Sequence, residues 1–148
     1  CGGPSFNFLN QGAREQGTIE ARNDLLIYTS DALVHPLMVI GRLRLQLSVS
    51  WDTKSVDFIG RLCHVDRDGQ STNLCEGLTT VSSDGQTSGA ARAVGISLGS
   101  IAVLFRPGEK LRLHICSSAH PRWLRNTCSG EDIASATQFC PCMVQIHS

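Results

Sequence analysis

Leu43-Arg44-Leu45-Gln46-Leu47-Ser48-Val49-Ser50-Trp51 decides the fold class. Every odd position in this stretch is apolar and every even one is polar. A helix turns about 100° per residue and would scatter these side chains around its axis. An extended strand sends alternate side chains to opposite faces. The stretch therefore predicts a strand that buries Leu43, Leu45, Leu47, Val49 and Trp51 and wets the residues between them.

The same period recurs on either side. Leu111, Leu113 and Ile115 alternate with Lys110, Arg112 and His114, and Val94, Ile96 and Leu98 form a shorter series. Val56 to Val65 is apolar on both faces and predicts a more central strand. Leu25 to Tyr28, Leu37 to Ile40, Ile101 to Phe105 and Met143 to Ile146 are further strands. Arg67-Asp68-Gly69, Ser83-Asp84-Gly85 and Pro107-Gly108 read as tight turns. The Ser-, Thr- and Gly-rich stretch Thr79–Gly89 reads as a long loop. No stretch long enough for a full helix holds apolar residues at i, i+3, i+4 and i+7; Gly12 to Ala21 has room for one helical turn. Many short strands with frequent turns predict an all-β protein, a sandwich or barrel, over 148 residues in one domain.

Charge and composition exclude several roles. Lys and Arg total 13 and Asp and Glu total 13, so nothing draws the chain to nucleic acid or to an anionic membrane surface. No apolar run approaches the roughly 20 residues that span a bilayer. The chain opens on Cys1, without a basic and then apolar leader, and is expected to be a piece of a longer protein. Seven cysteines are too odd a number for a fully paired framework. Free thiols are the expectation, with a bridge among the later cysteines left open and a cytoplasmic setting favoured. Cys140-Pro141-Cys142 is spaced too tightly for a zinc pair and has no matching second pair. No metal and no cofactor are expected.

Three stretches imitate active sites. Gly95-Ile96-Ser97-Leu98-Gly99 matches the G-x-S-x-G of a nucleophile elbow, which requires a sharp strand-to-helix turn. Here Ser97 sits inside an alternating strand, and Ile101 to Phe105 continue as strand. Cys1 before two glycines imitates an N-terminal nucleophile, but such enzymes need layered helices. Asp66-Arg67-Asp68-Gly69 has the start of a calcium loop and lacks its later oxygen ligands; a hairpin turn is the better reading. The five histidines show no metal spacing.

Longer motifs carry more information. Phe105-Arg106-Pro107-Gly108-Glu109-Lys110-Leu111-Arg112-Leu113 runs on to Ser117-Ser118-Ala119-His120-Pro121-Arg122-Trp123-Leu124-Arg125-Asn126. Upstream stand Asp24-Leu25-Leu26-Ile27-Tyr28-Thr29-Ser30, Asp57-Phe58-Ile59-Gly60-Arg61-Leu62, and Val65-Asp66-Arg67-Asp68-Gly69-Gln70-Ser71 with Leu74 and Gly77. These blocks, in this order from about Glu20 to Asn126, resemble the C-terminal domain of the X-prolyl dipeptidyl-peptidase and cocaine esterase family of serine hydrolases. Glu109 departs from the family's usual His, the residues after Gly77-Leu78 depart from its pattern, and the tail from Ala134 is short.

The resemblance implies a jelly-roll, galactose-binding-like β-sandwich with no catalytic residue of its own. It also implies a partner: an α/β-hydrolase domain of the same parent chain, bearing a Ser-His-Asp triad that lies outside this sequence. The parent would be a dipeptidyl-peptidase, esterase or acylase. The sandwich would pack on the catalytic domain and help wall its cleft, with the Thr79–Gly89 loop and the Ser117–Asn126 corner reaching towards it. An apolar docking face would also permit a homo-oligomer. Asp66, Asp68 and Gly69 are expected in a structural turn, and Pro121, Arg122, Trp123, Arg125 and Asn126 in a structural corner. There Pro121, lacking an N–H, ends the ladder, Trp123 buries an apolar face, and Arg125 ties loop carbonyls or a carboxylate. The competing reading is a stand-alone carbohydrate-binding module. Against it, only 5% of residues are aromatic and Trp51 lies on the apolar face of its strand.

Overall fold

The structure, a computed structural model, describes residues 12–83, 90–132 and 134–147. One helical turn, α1 (Gly17–Glu20), precedes seven strands: β1 (Leu26–Thr29), β2 (Leu37–Trp51), β3 (Ser55–Val65), β4 (Ser71–Ser82), β5 (Arg92–Phe105), β6 (Lys110–Cys116) and β7 (Val144–His147). They form two antiparallel sheets, ordered β1-β6-β3-β4 and β5-β2-β7. This is the expected all-β sandwich.

The alternation in Leu43–Trp51 becomes burial. Leu47, Val49 and Trp51 lie in the core with Val56, Phe58, Val94, Ile96, Leu98 and Ile115, and Leu43 and Leu45 pack partly buried against it. Trp51 meets Phe58 edge to face, ring centroids 6.0 Å apart, a preferred aromatic geometry. Two pairs of strands read separately from the sequence are each one strand. Leu37–Ile40 joins Leu43–Trp51 through Gly41, at φ 124°. Val94–Leu98 joins Ile101–Phe105 through Gly99, at φ 92°, where the β2–β5 register shifts. Glycine takes such positive φ without a Cβ penalty, so the chain bends without ending the ladder.

β4 corrects the loop expected at Thr79–Gly89. Thr79 to Ser82 belong to the strand. The Thr79 hydroxyl donates to the Gly95 carbonyl (3.0 Å) and that of Thr80 to Asp57 Oδ1 (2.8 Å), so neighbours satisfy side chains that read as loop-like. Residues 84–89, and with them most of the Ser83–Gly85 turn, lie outside the described residues, as does Cys1. The β4 and β5 backbones nearly touch: a Cβ on Gly77 would stand 1.9 Å from the Ser97 carbonyl oxygen.

The four-stranded sheet is covered on its outer face as well. The segment around α1 and the corner after β6 lie across it, and Leu25, Ile59, Cys116 and Ala119 form a second apolar cluster with Ile19, Leu78 and Trp123. Cys63, Cys75, Cys128, Cys140 and Cys142 are free thiols. Cys116 is disulfide-bonded, which corrects the expectation for that residue.

Candidate functional site

Several buried polar residues, Gln16, Asp57, Arg61 and His114 among them, gather between the four-stranded sheet and its cover. Alternation along β3 sends Phe58 and Gly60 into the sandwich and Asp57, Arg61 and Cys63 outward, beneath the cover. Arg61, 1% exposed, donates from Nε to Glu76 Oε2 (2.8 Å) and from Nη1 to Gln16 Oε1 (2.6 Å). Arg122 reaches the other Glu76 oxygen at 2.7 Å. One buried carboxylate thus stands between two guanidinium groups, and its lone pairs are used in two directions.

Beside it, Glu20 at the end of α1 pairs with Arg112 and with His114 Nε2, 2.9 Å away. Cys63 Sγ lies 3.7 Å from His114 Nδ1 and 4.0 Å from Nε2. Cysteine, histidine and carboxylate in contact resemble a nucleophilic triad, so their geometry decides what they do. A thiol activated by a histidine faces one ring nitrogen, which takes its proton. This sulfur is nearly equidistant from both nitrogens and lies on the lone-pair axis of neither. Cys63 and His114 are both 0% exposed. Burial pushes the Cys63 thiol up to about 12 and pushes His114 down, against the pull of Glu20. Burial also raises Glu20, but the Ser71 hydroxyl, Arg112 and His114 outweigh it and hold the carboxyl below its usual range. The result is an ionised carboxylate, a neutral imidazole and a protonated thiol beyond the reach of any substrate.

Ser97 is exposed on β5, with strand on both sides. Position 97 therefore provides none of the turn that an elbow requires. The Asp66–Gly69 segment is a turn: Asp66 Oδ1 accepts from the amides of Asp68 (3.0 Å) and Gln70 (2.8 Å), and Gly69 takes φ 86°. Across the sheet end, His64 Nε2 lies 2.8 Å from Glu109 Oε2. The Arg106 amide, and then His64, hold Glu109 below the usual carboxylate range.

The corner after β6 divides its labour differently from the sequence reading. The peptide between His120 and Pro121 is cis, and the Arg122 amide donates to the Ala119 carbonyl at 3.0 Å. Trp123 is half-buried against the second cluster. Asn126 is the hub: its Nδ2 donates to Asp57 Oδ1 (2.8 Å), and its Oδ1 accepts from the Cys128 amide (2.8 Å) and the Ser55 hydroxyl (3.1 Å). Arg125 was the residue expected to tie the corner, and it does not. It is exposed, with its guanidinium 5.2 Å from the centroid of the Phe139 ring. Arg122, three residues earlier, points at the sheet and finds Glu76. Sequence reasoning passed over Arg61, Glu76, Glu20 and His114. Two of them, Arg61 and His114, are charged or polar residues at strand positions flanked by apolar neighbours, which is the signal they offered.

Two hollows remain. A cleft of about 390 Å³ is lined by Asp57, Asn126, Arg125, Cys128, Phe139 and Cys142, among others. Within it burial, and then the neighbouring Cys142, push the Cys128 thiol up to about 11. An apolar groove of about 510 Å³ opens between the sheets at Tyr28, Leu43 and Leu113. Among the described residues, no group of three or more His, Cys, Asp or Glu is placed to hold a metal ion.

Comparison with known proteins agrees with this inventory. The chain is 29% identical to cocaine esterase of Rhodococcus sp. (strain MB1 Bresler) over 151 aligned positions, covering 96% of this chain and 26% of that enzyme. An aminopeptidase from a marine-sediment Thaumarchaeota archaeon superposes with a TM-score of 0.82 at 18% identity, over 90% of this chain and 25% of its own. An α-amino acid ester hydrolase superposes with a TM-score of 0.80 at 18% identity, over 91% and 25%. These two establish likeness of fold. The family model of the X-Pro dipeptidyl-peptidase C-terminal non-catalytic domain matches residues 5–147. The chain belongs to that family of non-catalytic hydrolase domains.

Proposed function

We propose that this domain packs on the catalytic domain of a serine α/β-hydrolase and helps shape its substrate cleft. The parent would be a dipeptidyl-peptidase, esterase or acylase, with its triad in the other domain. The observation that carries the packing role is where apolar side chains are left uncovered. Met38 and Leu104 face each other across β2 and β5, with Ile40 two residues further along and Val34 just before the strand. They are 63%, 48%, 71% and 78% exposed. Large apolar residues gathered this closely at one end of the sandwich mark a surface suited to protein. A second copy would meet the same patch, which is how a homo-oligomer would form. The corner offers Leu124 and Phe139, each 61% exposed, beside Arg125. We assign these residues to the side nearer the cleft.

The test uses the parent hydrolase with and without this domain. Deletion is expected to lower its melting temperature or shift its substrate preference while the catalytic serine still labels. A milder variant, Met38→Asp with Leu104→Asp in the full chain, should do the same in part. A truncated enzyme with unchanged melting temperature, kinetics and substrate range would refute the packing role.

A further inference from the structure

β2 is paired on both edges only near its end. β5 follows one edge from Leu37 to Val49, whereas β7 follows the other only from Ser48 to Trp51. Among the described residues, no strand pairs the second edge between Leu37 and Leu47. Folded proteins rarely leave a long apolar strand edge open, because its free N–H and C=O groups recruit another strand. The sheets also gape beside this edge. The apolar groove of about 510 Å³ lies there, with Leu43 and Leu45 of β2 facing Tyr28, Leu62, Leu111 and Leu113 of the other sheet.

β7 fixes what belongs in the gap. Its pairs Val144–Trp51 and Ile146–Val49 point into the core, while Gln145 pairs with Ser50 and is exposed. A strand collinear with β7 in this register next meets Leu47, Leu45 and Leu43 on the inner side, the last two at the groove, and Gln46, Arg44 and Arg42 on the wet side. Both arginines are exposed and meet no carboxylate among the described residues. Gly41, at φ 124°, bends β2 and ends the straight run.

We infer that the Arg42–Leu47 edge of β2 is an acceptor for one more antiparallel strand, collinear with β7 and supplied by the same hydrolase chain. The inference rests on the reading of this domain as part of such a chain. The strand carries apolar side chains opposite Leu45 and Leu43, where they fill the groove, and polar or acidic ones opposite Arg44 and Arg42, where opposite charges across a strand pair stabilise it. Main-chain hydrogen bonds hold it and the alternate side chains select it.

Hydrogen exchange on the full hydrolase, resolved to single amides, tests this. On a free edge strand the amides alternate: those donating to β5 are protected and those facing solvent exchange at once. The expected result is uniform protection from Arg42 to Leu47, independent of protein concentration. Leu45→Asp should abolish protection at every second amide while β3 stays protected; if that variant does not fold, the wild-type profile decides alone. Alternating protection in the wild type overturns the inference, even where the Met38–Leu104 patch is buried by the catalytic domain. Uniform protection that is lost on dilution also overturns it, by assigning the edge to a second copy. Deletion of the domain without effect would instead count against the packing role and leave the edge result standing.

Discussion

The four-stranded sheet has two buried faces built in opposite ways. Towards the other sheet, Val56, Phe58 and Ile115 pack in the apolar core, and Gly60 makes room for Leu45, which a Cβ there would approach to 2.6 Å. Towards the cover, Arg61, His114 and Asp57 are buried and Glu76 and Glu20 partly buried, beside an apolar cluster of Leu25, Ile59 and Ala119. The inner face is held by area removed from water, which is non-directional. The outer face is held by donors and acceptors that must each find a partner, because an orphaned one costs the full desolvation. The first tolerates shape changes in small steps. The second fails when one member is removed.

Substitutions on the two faces should therefore differ in size. Arg61→Ala leaves Glu76 and Gln16 facing an empty site and is expected to cost about 3–5 kcal/mol, the range for breaking a buried ion pair; chemical denaturation measures it. Replacing Arg61 and Glu76 together by Met and Leu should recover much of that loss, limited by Arg122, which loses its carboxylate. Asn126→Ala removes two hydrogen bonds that join β3 to the corner and a third within the corner, and should cost about 1–3 kcal/mol by the same assay. Ile96→Val, on β5 where it packs in the core against the inner face, should cost only about 0.5–1.5 kcal/mol although the side chain is fully buried. Arg125→Ala should fall within about 0.5 kcal/mol of zero, as exposed substitutions usually do.

Acid should separate the faces in another way. His114 has a folded pKa depressed by burial below its ordinary 6.5. Its neutral form is therefore favoured in the folded state, and the unfolded chain binds the proton more readily. The stabilisation is present above 6.5 and is lost as pH falls through the folded value. Glu20, also depressed, acts in the same direction at lower pH. Melting temperatures taken from pH 7.5 down to 4 should decline, and His114→Gln should flatten the upper part of that decline.

The difference between the faces also explains what the sequence made legible. The inner face is a period-2 pattern, and Leu43–Trp51 announces it without any knowledge of a partner. β3 reads as central because both its faces are covered. β4 is hard to read because, Val81 apart, its inward residues Cys75, Gly77 and Thr79 are small or polar, suited to close approach to β5 more than to burial of area. The outer face has no period. Arg61 and Glu76 stand 15 residues apart, Asp57 and Asn126 stand 69 apart, and only the fold brings them together. What the sequence did show was the motif blocks at the two ends of those contacts: Asp57 opens one and Asn126 closes another. Arg122 and Arg125 carry the same donors, and donor count alone does not say which of two nearby arginines points inward.

Among the described residues no side chains form an active site, despite a serine in an elbow-like motif and a buried cysteine and histidine in contact with a glutamate. Activity-based labelling of the full hydrolase tests it most directly, with a fluorophosphonate for serine and iodoacetamide for cysteine under native conditions, each mapped by mass spectrometry. The expected result is one stoichiometric fluorophosphonate adduct on a serine outside these 148 residues, with Ser97 and Cys63 unmodified. A stoichiometric adduct on Ser97, or native alkylation of Cys63 that abolishes activity, would contradict the account.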